Sequence, residues 1–306
     1  MFYPKVSIVT PILKEDKFLF EYISSVFLQK EVNIELIIVS SKEEIKLIEK
    51  SIRSYNLNKI YNNHIVVQYV SCDRTDAGTR RNLGIKKSNG KYILFADADD
   101  YFFSSNSVLT LVKSIEEKSG NVLCSSCLIR DNETFIYRKD LINYRSFKTN
   151  ILDFQNECGF YRFIYLASFL KNRNNFKNLL RFQDSLFLVE LLLDIGDFYV
   201  IPNITYVYRK GHKFAHFSIK MYQDHLNGVF QVLNIAYSNK MQILFKKMLK
   251  NIIISTKKRK PIGVNSFEIY KINYFFCKNL FFVWKGFVYA PLVYILAVFS
   301  LLLNWK

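Results

Sequence analysis

The feature that most constrains this chain is a short apolar run that ends abruptly in acids. Tyr92-Ile-Leu-Phe95 reads as a buried strand, and Ala96-Asp97-Ala98-Asp99-Asp100 follows at once. Three carboxylates therefore stand within four residues at a strand's carboxyl end. In open α/β sheets that end is where ligands bind. Carboxylates there are hard oxygen ligands, suited to Mg²⁺ or Mn²⁺ and, through the cation, to phosphate. The plainer alternative is a solvated acidic turn capping a helix that starts near Ser107. Just upstream, Asp76-Ala-Gly-Thr-Arg-Arg-Asn-Leu-Gly-Ile85 reads as a Gly-marked turn opening a basic helix, about Thr79 to Lys87. A helix start is itself friendly to anions.

The residues around this stretch alternate between strand and helix patterns. Val6 to Thr10 is a strand closed by Pro11, and Ile34 to Val39 and Ile65 to Val70 are two more. Between them lie a helix from Asp16, with Phe18, Leu19, Tyr22, Ile23, Val26 and Phe27 on one face, and one marked by Ile45, Ile48, Ile52 and Tyr55. After the acids come a helix with Val108, Leu111, Val112 and Ile115 inward and a strand from Asn121 to Leu128. Such alternation predicts an α/β fold, a mostly parallel sheet wound by helices on both faces. Residues 129–160 read as loops and short strands. An apolar helix after Asp184 should stop at Gly196. Phe198–Ile201 and Thr205–Tyr208 read as two strands around Pro202.

These residues carry a family resemblance. Gly78, Arg81, Asn82, Gly84 and Ile85, then Gly90, Tyr92, Phe95 and the Asp97/Asp99 pair, match in spacing and order over about 23 positions. The stretch resembles the sugar-nucleotide core of the family-2 inverting glycosyltransferases, which have the GT-A fold. The strand start Val-Ser-Ile-Val-Thr-Pro, the helix end Ser-Val-Phe-x-Gln and the strand Ile-Glu-Leu-Ile-Ile-Val resemble the same family. The resemblance implies a GT-A catalytic domain over 1–210, its donor half about 1–128 and its acceptor half about 129–210. It implies a nucleotide-sugar donor near Pro11, Ser40, Arg81, Asp97, Asp99 and Arg209. A divalent cation, Mn²⁺ or Mg²⁺, is implied on Asp97 and Asp99, with His216 a further candidate ligand. Phe160–Leu170 resembles the family's acceptor-side helix. Asp184, in Gln183-Asp184, stands where the family carries Glu-Asp and implies the catalytic base; read without the family, it is an ordinary helix N-cap. Where the family usually ends its second strand in an Asp pair that recognises the donor's base, this chain has Ser40-Ser41. A hydroxyl brings no charge, so a UDP-sugar is only weakly favoured.

Charge separates the last third. Residues 209–306 hold 16 of the 43 Lys and Arg but only 2 of the 26 acids, Asp224 and Glu268. That makes residues 211–306 a helical, basic region. Such a block suits nucleic acid or an anionic membrane. No nucleic-acid-binding motif accompanies it. Lys257-Lys-Arg-Lys260 is polybasic, and Gly286 to Leu303 is an uncharged run of 18 residues ending near Trp305-Lys306. Spanning a bilayer takes about 20 apolar residues, so the run is marginal as a span and suited to lying in the interface. The expected setting is the cytoplasmic face of the inner membrane, with a glycan or glycolipid acceptor such as a lipopolysaccharide or capsule precursor. Strand-like residues begin at Val6, with no signal sequence ahead of them. Five scattered cysteines, Cys124-x-x-Cys127 among them, read as buried free thiols rather than a zinc site.

Overall fold

A computed structural model describes residues 5–14, 17–55, 64–131, 134–137, 146–151, 159–173, 175–210 and 218–241, with Leu244 and Met248. The chain divides into two compact units, Met1–Asn178 with Phe187–Lys213, and Leu179–Leu186 with Phe214–Lys306. His216, the polybasic cluster 257–260 and the run 286–303 lie outside the described residues.

The first unit is built on a ten-stranded sheet. Strands β1 (Val6–Pro11), β2 (Ile34–Ser40), β3 (Ile65–Ser71) and β4 (Tyr92–Phe95) stand in the order β3-β2-β1-β4, all parallel. Residues of β1, β2 and β4 are buried on both faces, which is why they read as continuous apolar runs without alternation. Helices α1 (Leu19–Phe27), α2 (Lys42–Ser54) and α3 (Ala77–Lys87) are the crossovers. Helix α3 packs flush on β1 at Gly84, where a Cβ would stand 2.3 Å from Val9 Cγ1. Helix α4 (Ser107–Lys118) follows the acids, after the two-residue strand β5 (Tyr101–Phe102).

Beyond β4 the sheet turns mixed. Strand β6 (Val122–Asp131) carries the short β7 (Thr134–Tyr137) on one side, and β8 (Phe147–Asn150) pairs with the last strand. The expected helix over Phe160–Leu170 is a correction. A 3₁₀ turn (Phe160–Arg162) leads into strand β9 (Phe163–Leu166), and only Ala167–Lys171 is helical, as α5. Strand β9 lies antiparallel between β4 and β6, pairing Tyr92 with Leu166 and Val122 with Tyr165. A short run of large apolar residues cannot be assigned to helix or strand by periodicity alone, and here a vacant slot between two strands decided it.

Helix α6 (Gln183–Ile195) ends at Gly196, whose φ of +72° suits a residue without Cβ. The two strands expected around Pro202 are one, β10 (Asp197–Lys210), parallel to β6. Pro202 sits where the register slips between Val200 and Ile204, the place in a ladder where a missing N–H is tolerated. In the second unit, α7 (Ile219–Ser238) is a 20-residue helix. No helix among the described residues is long and apolar enough to cross a membrane.

Candidate functional site

Strand order reverses between β1 and β4, which makes their carboxyl ends the switch point of the sheet. Pro11 ends β1, Ser40 ends β2, and Asp97 is the second residue after β4. The sheet thus brings three of the residues expected at the donor to one edge. The turn after β4 closes with Asp100 N–H donating to the Asp97 carbonyl at 3.1 Å. Ligand oxygens of Asp97, Asp99 and Asp100 all lie within 4.8 Å of one another. The helix-capping alternative does not hold: the N-cap of α4 is Asn106.

The three carboxylates have different surroundings. Asp97 is partly exposed, and its Oδ1 accepts from Arg81 Nη2 at 2.7 Å. Arg81 is almost fully buried, on the inner face of α3, its guanidinium 4.4 Å from the centre of the Phe160 ring. A buried arginine needs a charged partner, so the pair fixes both side chains. Asp99 is 7% exposed and Asp100 1%. Asp100 is bound from β10: Oδ1 accepts the Arg209 backbone N–H at 2.7 Å and Oδ2 the Tyr206 hydroxyl at 3.2 Å. The Tyr206 oxygen in turn accepts the Asp97 N–H at 3.1 Å. Burial, with the charges of Asp100 and Asp97 adding, pushes the Tyr206 phenol well above its ordinary range, so it stays protonated and able to donate. Tyr22, hydrogen-bonded to Thr10, is raised for the same reasons.

Arg209 was expected at the donor diphosphate. Its Nε donates to the Asp99 carbonyl at 2.9 Å, another nitrogen pairs with Glu21, and its guanidinium lies 4.0 Å over the Phe18 ring. As described, it braces the acid turn against α1. Ser40 is fully buried and donates its proton to the Ile12 carbonyl at 2.6 Å, which leaves its oxygen only as an acceptor. Ser41 is the N-cap of α2. Three contributors escaped the sequence reading: Asp100 as anchor, Tyr206 as bridge, and Arg80. Buried Arg80 holds the Ile12 carbonyl through Nη1 and the Arg74 carbonyl through Nε, at 2.7 Å for the latter. Its position one residue before Arg81 was the only available signal.

Asp184 belongs to the second unit. It is not the N-cap but the second residue of α6, its Oδ1 accepting the Ser185 N–H at 2.8 Å. Negative charge is favoured at a helix start. Its neighbour Gln183 is buried, with Oε1 lacking a hydrogen-bond partner among the described residues.

Comparison with known proteins bears on family and fold. The model of the family described as glycosyl transferase family 2 matches residues 7–178. The chain belongs to that family. Within it, an uncharacterized glycosyltransferase of Rickettsia bellii (strain RML369-C) is 32% identical over 149 residues, covering 48% of this chain and 20% of the relative. This family-2 chain therefore spans about a fifth of that relative's length. Among solved structures, S. aureus TarS 1–349 in complex with UDP-GlcNAc is similar with a TM-score of 0.67 at 17% identity, over 90% of this chain and 81% of that one. The mannosyltransferase PcManGT from Pyrobaculum calidifontis, in complex with GDP-Man and Mn²⁺, has a TM-score of 0.53 at 10% identity, over 100% and 89%. At these identities the likeness speaks for the fold, the mixed α/β GT-A architecture that the resemblance implied.

Proposed function

We propose that this chain is a metal-dependent glycosyltransferase, moving a sugar from a nucleoside-diphosphate sugar to a saccharide acceptor with inversion. The observation that carries the reading is the acid turn at the switch point, with Asp97, Asp99 and Asp100 converging within 4.8 Å. The residues fit a divalent cation: their donors are hard oxygens, and buried cations from Arg81 and the β10 brace hold the turn in place. Asp97 and Asp99 are assigned as its ligands, and Asp100 as the anchor. When bound, such a cation neutralises charge on the leaving diphosphate. Arg81 fixes Asp97, and Pro11 and Ser40 border the place of the nucleotide. Asp184 is assigned as the general base that takes the acceptor hydroxyl's proton, so that the freed oxygen attacks the anomeric carbon from the side opposite the leaving group. That assignment rests on the family resemblance of Gln183-Asp184 and on the carboxylate's place at a helix start.

A second reading concerns the donor. The Ser40 proton is committed to Ile12, and no carboxylate ends β2, which favours a donor whose base is not read by an acid. Such a donor need not be a UDP-sugar. TarS is described with UDP-GlcNAc and PcManGT with GDP-Man, which defines the first two donors to try. The basic residues of 209–306 support a place at the cytoplasmic face of a membrane and a lipid-linked acceptor in lipopolysaccharide or capsule assembly. The test is thermal stabilisation and nucleoside-diphosphate release across UDP-, GDP-, TDP- and CMP-sugars, with Mn²⁺ and with EDTA. Turnover that needs the metal and is lost in Asp184→Asn, with donor binding intact, supports the reading. Binding without turnover in every case reduces the chain to a sugar-nucleotide-binding scaffold.

A further inference from the structure

The residue immediately before Gln183-Asp184 is in an unfavourable backbone conformation. Phe182 has φ +69°, the left-handed region, which a large side chain enters at a cost of about 1–2 kcal/mol. Its carbonyl nevertheless accepts the Leu186 N–H at 3.2 Å and so starts α6. Beside it, Gln183 keeps a buried acceptor with no partner among the described residues. Two separate local costs thus immediately precede Asp184. Strained residues persist only where their surroundings over-determine them, and they gather at functional sites.

Two residues of α7 lie against Phe182. Gly228 lies against it: a Cβ there would stand 2.8 Å from Phe182 Cβ and 3.1 Å from Cδ1. Glycine inside a helix costs about 1 kcal/mol relative to alanine, so this position sacrifices helix stability to let the phenylalanine in. One turn earlier, the buried His225 ring meets the Phe182 ring edge to face, centroids 5.3 Å apart at 89°. Next to it, buried Asp224 accepts the Leu180 N–H on Oδ2 at 3.0 Å and holds Lys220 on Oδ1 at 2.7 Å. Residues 224, 225 and 228 therefore grip residues 180 and 182 by backbone, ring and close packing.

We propose that this face of α7 is a positioning device for Asp184: Asp224, His225 and Gly228 clamp Leu180–Phe182 so that α6 starts at Gln183 and presents the carboxylate in a fixed place. The inference rests on the reading of Asp184 as the base. Asp224, His225 and Gly228 are positioning residues, acting through the turn they hold.

The test uses the full chain, Mn²⁺, and nucleoside-diphosphate release from UDP-N-acetylglucosamine or GDP-mannose with water as acceptor. Gly228→Ala should lower kcat by about 10- to 100-fold with donor KM within about twofold, because misplacing a catalytic group by about 1 Å has that effect. The melting temperature of Gly228→Ala is read beside kcat, with kcat taken per folded molecule well below melting. A merely structural role predicts a lower melting temperature with kcat per folded molecule unchanged. Hydrogen exchange needs no substrate: amides of 179–186 should exchange faster in Gly228→Ala and in Asp224→Asn, with those of β6 unchanged. Asp224→Asn carries the same kcat expectation should Gly228→Ala not fold. Wild-type kcat or unchanged exchange at 179–186 in these variants overturns the clamp. Asp184→Asn is run alongside. If it keeps full turnover, the base reading falls; if it alone abolishes turnover while Gly228→Ala and Asp224→Asn do not reduce it, only the clamp falls.

Discussion

Tyr206→Phe removes one oxygen from the centre of the candidate site and nothing else. That oxygen donates to Asp100 Oδ2 at 3.2 Å and accepts the Asp97 N–H at 3.1 Å, joining two of the three acids to β10. The ring should stay in place, since it stacks on Tyr161 at 4.9 Å and meets Phe102 edge to face at 5.6 Å, so no cavity opens. The cost is therefore that of two buried polar groups. A hydrogen bond to a charged group contributes about 1.5–3 kcal/mol, and a buried donor left unmade costs about 1–3 kcal/mol. The phenylalanine ring, easier to bury than a phenol, offsets part of this, which leaves roughly 2–4 kcal/mol of destabilisation. At about 2–4 °C per kcal/mol for a unit of this size, calorimetry should show the melting transition falling by about 5–15 °C. Asp97 also loses its backbone anchor, so the Mn²⁺-induced rise in melting temperature should need a higher metal concentration. A variant melting within about 1 °C of wild type, with the same Mn²⁺ response, would refute the claim that β10 holds the acid turn through this hydroxyl.

Gly84→Ala tests how closely α3 must approach β1: the added methyl meets Val9 Cγ1 at 2.3 Å. Overpacking of about 1–3 kcal/mol outweighs a helix-propensity gain of about 1 kcal/mol, so the midpoint of chemical unfolding should fall, and a rise would contradict the packing. High pH tests the buried phenols. Burial raises Tyr22, Tyr161 and Tyr206 above their ordinary range and Tyr69 to about 12. Unfolded phenols release their protons near pH 10, before the folded ones do. Stability is therefore intact below about pH 10 and falls as pH rises through the folded values, by about 1.4 kcal/mol per pH unit for each fully buried phenol. Equal urea midpoints at pH 10 and 11 would falsify that. Ending the chain after Thr256 removes Lys257–Lys260 and everything beyond. At about 1 kcal/mol per basic residue near an anionic leaflet, the shortened chain should no longer sediment with anionic vesicles, and continued sedimentation places the contact elsewhere.

What the sequence made legible was local. The parallel half of the sheet could be read because β1, β2 and β4 are buried on both faces, and such strands are unbroken apolar runs. Asp97, Asp99 and Arg81 could be read because they sit in one motif of short span. Strand β9 could not, because its conformation is set by partners at Tyr92–Leu94 and Val122–Cys124 rather than by its own residues. Arg209 shows the same limit at the site. Alone, an arginine before a basic loop suggests a phosphate contact; in the fold, β10 runs beside the two-residue β5 that directly follows the acids, and that adjacency sends Arg209 back to Asp99 and Asp100.

The same division runs through the second unit and bears on how such a site arises. Asp184 was visible as a residue type in a familiar slot, yet the left-handed Phe182 before it was not, since nothing in Leu-Leu-Arg-Phe marks a residue that ordinarily avoids positive φ. Its side chain fits against α7 only because Gly228, 46 residues further on, has no Cβ. Chemistry-bearing residues are constrained by what they must touch and keep their local pattern. The residues that aim them are constrained only by fit, and many sequences supply the same fit. For this chain, then, the acids and the proposed base can be named from the sequence, whereas Tyr206, the contacts by which Arg209 braces the acid turn and the proposed α7 clamp can be named only from the fold. If that division is right, substitutions at the braces should change rate or stability by degrees, and conservative ones should be recoverable by a second change at the contact. Substitutions of Asp97, Asp99 or Asp184 should admit no such recovery.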